Sequence, residues 1–204
     1  MRTIEVSGQG VVYAIPDVSV LEVQCRVVDP QATSARAAYA ATMDRISAVI
    51  RKAGVQGDDV RSSRFTLGEY YKEHNAPREG FYVEGRLSIR VRDLAEVAPL
   101  FDELVAAGAT RVEGPNLEIS EIEPYRTAAR KNAYEDALSR ARTYCEVAGL
   151  RIVGPLQIQE DDKESYGALM MGGKMGADDE DLLVGRHKVS VSVKVTFGIE
   201  PLGV

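Results

Sequence analysis

The sequence predicts an α+β protein, built from two-layer antiparallel sheets with helices on one face. Three observations carry this. Residues 186–199 alternate cleanly: Val189, Val191, Val193, Val195, Phe197 and Ile199 point one way, with Lys188, Ser190, Ser192, Lys194 and Thr196 between them. A strand with one wet face belongs to an antiparallel sheet. Elsewhere the apolar spacing is that of a helix, and three such stretches stop at Gly54, Gly108 and Gly149, where a left-handed residue ends a helix without strain.

Taken in order, residues 2–14 and 17–28 read as two strands joined by a tight turn at Pro16-Asp17. Gly8 and Gly10 interrupt the first, which predicts a bulge or a close backbone approach. A dinucleotide-binding reading of Gly8-Gln9-Gly10 fails, because such glycines open a helix and here a strand follows. In the second strand Leu21, Val23, Cys25 and Val27 share one face, with Glu22, Gln24 and Arg26 on the other. Asp29-Pro30 supplies a cap and a first-turn proline for a helix whose stripe is Ala35, Tyr39, Met43, Ile46, Ile50 and Ala53.

The composition shifts at residues 55–59, and a fresh unit is expected from there. Residues 64–71 and 81–92 read as strands around a polar loop at 72–79. Asp93 and Glu96 form a capping pair for a helix carrying Leu94, Val97, Phe101, Leu104 and Val105. Pro99 either kinks that helix or marks a later start. Residues 112–122 are a third strand. Pro124 then opens a long alanine-rich helix whose face is Tyr134, Leu138, Ala141, Cys145 and Ala148. A strand at 155–160 follows, then a Gly-, Met- and acid-rich stretch at 161–185 that reads as a mobile solvated loop. This order predicts a discontinuous outer α+β domain, 1–57 plus 123–204. A small ferredoxin-like β-β-α-β unit is inserted at 58–122.

Composition narrows the function. The net charge is −6, acids and bases are mixed, and no basic block is interleaved with aromatics, so a nucleic-acid surface is not expected. No run is long and apolar enough to span a bilayer. As written the N-terminus carries no signal peptide, which places the protein in the cytoplasm, or in the periplasm or outside the cell if a leader was removed. Cys25 and Cys145 lack metal-type spacing and read as two reduced, buried thiols.

Candidate chemistry is sparse. Met170, Met171 and Met175 are soft ligands suited to Cu(I), and Asp178 and Asp179 are hard ones suited to Ca²⁺. The acids lack calcium-loop spacing. His74 and His187 have no nucleophile or carboxylate that the sequence can place beside them, so no catalytic residue is assigned and no cofactor is expected.

Several stretches carry a family resemblance: IEVSGQGVVYAIPD at 4–17, SSRFTLGEYY at 62–71, GFYVEGRLSIRVRDL at 80–94, and ARKNAYEDA at 129–137 followed by Ala148-Gly149-Leu150 and Gly154. In this order they resemble the SIMPL family, a domain of unknown function that includes oxidative-stress defence proteins. Gly85 departs from the pattern, standing where the family often has Asn. The resemblance implies a two-part α+β fold, self-association and a role outside enzymology. The expectation is therefore a non-enzymatic, self-associating binding or scaffold protein, a homo-oligomer open to a protein partner. The alternative is a small-molecule or metal-binding stress protein using residues 161–185.

Overall fold

A computed structural model describes residues 2–55, 57–73, 77–161 and 185–202, and the backbone of 165–168. In chain order the elements are β1 (Arg2–Ala14), β2 (Val18–Asp29), α1 (Ala32–Lys52), β3 (Val60–Tyr70), β4 (Gly80–Val91), α2 (Val97–Ala106), β5 (Arg111–Glu118), α3 (Glu123–Val147), β6 (Leu150–Glu160), β7 (Ser165–Ala168) and β8 (His187–Pro201). The protein is α+β with two antiparallel sheets and three helices among the described residues. It divides into two compact units, Met1–Pro16 with Ile119–Val204, and Asp17–Glu118.

The unit Asp17–Glu118 is a β-α-β-β-α-β arrangement with sheet order β3-β4-β2-β5. Leu21, Val23 and Cys25 of β2 pack with Ile89 and Val91 of β4 against Ile46 and Ile50 of α1 and Leu100 and Leu104 of α2. Both helices thus cover one face. Helix α1 begins at Ala32, two residues later than the proline suggests, and Asp29 Oδ1 accepts from the Gln31 amide at 2.8 Å just ahead of it. Pro99 falls in the first turn of α2, where its missing N–H costs no helical bond. A short 3₁₀ turn, Leu94–Glu96, precedes it, with Asp93 Oδ1 accepting from the Ala95 amide at 3.1 Å.

The boundaries therefore lie at 16/17 and 118/119, not at 57/58 and 122/123. Strands β1 and β2 do not pair as a hairpin: they belong to different sheets. Residues 58–122 alone hold β3, β4 and β5, and β5 has no partner there. Strand β2 fills the gap, pairing with β4 on one side and β5 on the other. The Asp17 amide donates to the Glu118 carbonyl at 3.0 Å, so the unit's two ends meet, as an insertion requires.

In the other unit the sheet order is β1-β8-β6, with β7 also pairing β8. Strand β8 is central. Strand β1 accompanies it from Arg2↔Ile199 to Ala14↔His187, β6 pairs with its C-terminal half and β7 with His187 to Ser190. The 161–185 stretch is thus not wholly loop. Nor does β8 outrun its partners, as a strand confined to 155–160 would imply, because β6 starts at Leu150. Helix α3 buries Ala129, Ala133, Ala137, Ala141 and Cys145, a row at spacing four. Tyr134 and Leu138 flank that row, half-buried, and the Tyr134 ring meets Phe197 at 6.2 Å.

Candidate functional site

Sheet edges expose backbone N–H and C=O groups that recruit other strands unless something guards them. Among the described residues β1, β3, β5, β6 and the four-residue β7 are edges, and β1, β5 and β6 are guarded. On β1 the Gln9 amide donates to Asp136 Oδ2 at 2.9 Å, and Asn132 Nδ2 donates to the Val11 carbonyl at 3.4 Å. Helix α3 thus occupies that edge with its own side chains. The Gln9 amide, and then Arg140, hold the Asp136 carboxyl below its usual range. On β5, Pro115 removes a donor and the pairing with β2 shifts register between Val20 and Glu22. On β6, Pro155 does the same beside two register shifts. That strand nonetheless leaves Val153 58%, Leu156 52% and Ile158 56% exposed.

Strand β3 is the remaining long edge. Its eleven residues hold no proline, and among the described residues it pairs with β4 alone. On its helix-side face Phe65 is 59% and Leu67 45% exposed. The Phe65 ring meets Tyr39 of α1 edge-on at 5.5 Å. Phe65, Gly85 and Cys25 lie opposite one another across β3, β4 and β2. Gly85 makes room for Tyr39: a Cβ there would lie 2.8 Å from Tyr39 Cζ and closer still to its hydroxyl. Burial, and then the neighbouring Cys25, push the Tyr39 hydroxyl pKa up. Burial also raises the Cys25 thiol, with Arg45 opposing.

The other face of this sheet carries no helix of its own unit, and its arginines divide sharply. Arg26 and Arg86 share Glu84 at 3.9 and 3.7 Å, Arg90 pairs with Glu118 at 3.7 Å, and Arg111 pairs with Glu113. Arg61 and Arg64 of β3 make no ion pair among the described residues, and Arg64 lies directly opposite Arg86.

The residues singled out from sequence do not converge. Met170, Met171, Met175, Asp178, Asp179 and His74 lie outside the described residues. His187 opens β8, buried, opposite Ala14. Cys25 and Cys145 are free and buried, each in the core of a different unit. Among the described residues no three His, Cys, Asp or Glu gather as a metal site, and no helix is long and apolar enough to cross a membrane. Sequence reasoning missed the β3 edge. It began the strand at Arg64, so the pairing of Val60 and Arg61 with β4 was lost, along with the shift that follows them.

This architecture defines a two-unit α+β protein, one β-α-β-β-α-β unit inserted into a sheet covered by a single long helix. The chain belongs to the SIMPL family, described as "Protein of unknown function (DUF541)", whose pattern matches residues 4–197. It is 28% identical to the 26 kDa periplasmic immunogenic protein of Brucella melitensis, over 97% of this chain and 84% of that one. It is also 23% identical to the uncharacterized protein YggE of Edwardsiella ictaluri, over 74% of this chain and 64% of that one. YggE of Escherichia coli K12 is 22% identical, over 67% and 56%.

Proposed function

We propose that this chain is a non-enzymatic binding or scaffold protein that works as a homo-oligomer. The observation that supports it is the apolar load on one edge strand: Val153, Leu156 and Ile158 of β6 are all more than half exposed. Exposed apolar groups gathered in one place mark association surfaces more often than bare solvent faces. Val147 at the end of α3 is 87% exposed, and Leu202, whose amide bonds the Gly149 carbonyl at 3.1 Å, is 56% exposed. Both lie beside the start of β6 and extend the same apolar character. The name of the Brucella relatives supports a periplasmic setting. For a part in oxidative-stress defence the support is the family resemblance.

Light scattering after gel filtration tests the assembly. A mass that is a whole multiple of 22.2 kDa is expected, falling toward one chain in Ile158→Glu combined with Val153→Glu. A wild-type chain that runs as a monomer at micromolar concentration overturns the reading.

A further inference from the structure

We infer that the free edge of β3 is a docking site for an extended segment of another protein, one that alternates apolar and acidic residues. This goes beyond self-association and rests on different residues in a different unit. Three observations on this strand converge.

The first is the edge itself. Strand β1 is capped by α3, and β5 and β6 are interrupted by Pro115 and Pro155, while β3 has, among the described residues, neither a proline nor a helix side chain on its edge and only one register shift, near its start. An added strand would find an uninterrupted row of backbone donors and acceptors from Arg64 to Tyr70, beyond the register shift at Ser62/Arg64.

The second is charge. In an unbroken strand residues 61 and 64 would point to opposite faces, because side chains alternate. The register shift between Ser62 and Arg64 puts both on one face: Arg61 lies opposite Ser88, and Arg64 opposite Arg86. The two arginines therefore stand on one face of the edge strand. Glu84 is already shared by Arg26 and Arg86, so it has little left for Arg64. Like charges directly opposite each other destabilise a sheet, and an acid arriving from outside relieves that. The need for such an acid is local, since the whole chain carries a net charge of −6.

The third is the opposite face of the same strand. There Phe65 and Leu67 are 59% and 45% exposed. An incoming strand lying roughly 4.8 Å from β3 would set its own alternate side chains over them. Acid on one face and hydrocarbon on the other is the pattern that satisfies both.

A second copy of β3 does not fit. Its single acid, Glu69, lies on the Phe65 face and is engaged by Tyr71 at 2.6 Å and Arg78 at 2.9 Å. Antiparallel pairing of β3 with a second β3 would bring no acid to Arg61 and Arg64, since Glu69 is on the other face.

The test is a fluorescence-anisotropy titration of the full chain with three labelled probes. One short peptide alternates Glu and Val, one alternates Lys and Val, and one has the Glu/Val composition with the alternation broken. Hydrogen exchange locates the contact. The Glu/Val peptide is expected to bind best and to protect amides 60–70. In Arg61→Glu/Arg64→Glu its affinity should fall roughly tenfold or more, and the Lys/Val peptide should become the better ligand. An unchanged melting temperature verifies the fold of that variant. Should it not fold, Arg64→Gln serves instead, and must weaken the Glu/Val peptide without improving the Lys/Val one. No preference among the peptides, binding indifferent to the substitutions, or protection away from 60–70 would overturn the proposal. So would concentration-dependent protection of 60–70 in the protein alone, which would assign the edge to a second copy. Failure here leaves the light-scattering result untouched.

Discussion

Gly10 of β1 lies under the backbone of Ala133 in α3: a Cβ on Gly10 would sit 2.5 Å from the Ala133 nitrogen. Gly8 stands in the same relation to Ala137, also at 2.5 Å. Two glycines and a row of alanines thus let helix and strand approach backbone to backbone, and any side chain at either glycine must lift the helix off. Gly10→Ala is expected to cost about 1–3 kcal/mol, as overpacking does. Gly154→Ala is the control, since nothing lies within 4 Å of a Cβ there, and it should stay within about 0.5 kcal/mol. Urea denaturation of both variants measures the difference.

Asp136 contributes to the same contact. Its carboxyl has an ordinary pKa of 3.8 and is held below that, first by the Gln9 amide and then by Arg140. A carboxylate depressed on folding stabilises the protein above its ordinary pKa, and that contribution is lost as pH falls below 3.8 through the folded value. Asp136→Ala should cost about 1 kcal/mol at neutral pH, because the site is partly open to solvent. Asp136→Asn keeps an acceptor for Gln9 and should cost less, while removing this part of the acid-side slope. Melting temperatures across the acid range, wild type against Asp136→Asn, read that slope directly.

Both thiols should be silent in the folded protein. Cys25 is 1% and Cys145 3% exposed, and burial raises the Cys25 pKa, so its reactive thiolate is scarce as well as covered. A disulfide-exchange reagent such as DTNB should label neither promptly in buffer and both in urea. Prompt labelling of Cys25 in buffer would mean that the core beneath α1 opens readily.

The meeting of Asp17 with Glu118 implies that residues 17–118 fold without the rest of the chain. That fragment carries a complete sheet and both covering helices. It is expected to unfold cooperatively by circular dichroism. Residues 58–122 should not, because they lack β2, the strand that joins β4 to β5. A folded 58–122 fragment would contradict this division of the chain.

Much of the local structure is legible in the residues. The alternation from Val189 to Ile199 is strand β8, and Gly8 and Gly10 mark a close backbone approach. Pro99 admits two readings, and the start of α2 at Val97 settles them. The long helix is legible as a helix but its buried face is not. Spacing favours Tyr134 and Leu138, yet the row pressed on the sheet is alanine. Large side chains carry the hydropathy signal, while the glycines opposite select small ones.

What the sequence alone determined is which residues share a face along strands such as β2 and β8, since that follows from a period of two. Which strand lies beside which was decided by the tertiary structure. The alternation of Leu21, Val23 and Cys25 is satisfied equally in either sheet, and the vacant place between β4 and β5 settled it. The β3 edge was decided the same way. Arg61 and Arg64 share a face only because of a register shift against β4, and Glu84 of β4 is already shared by Arg26 and Arg86. Pairing between distant segments is a property of three-dimensional neighbours, and local period carries no record of it.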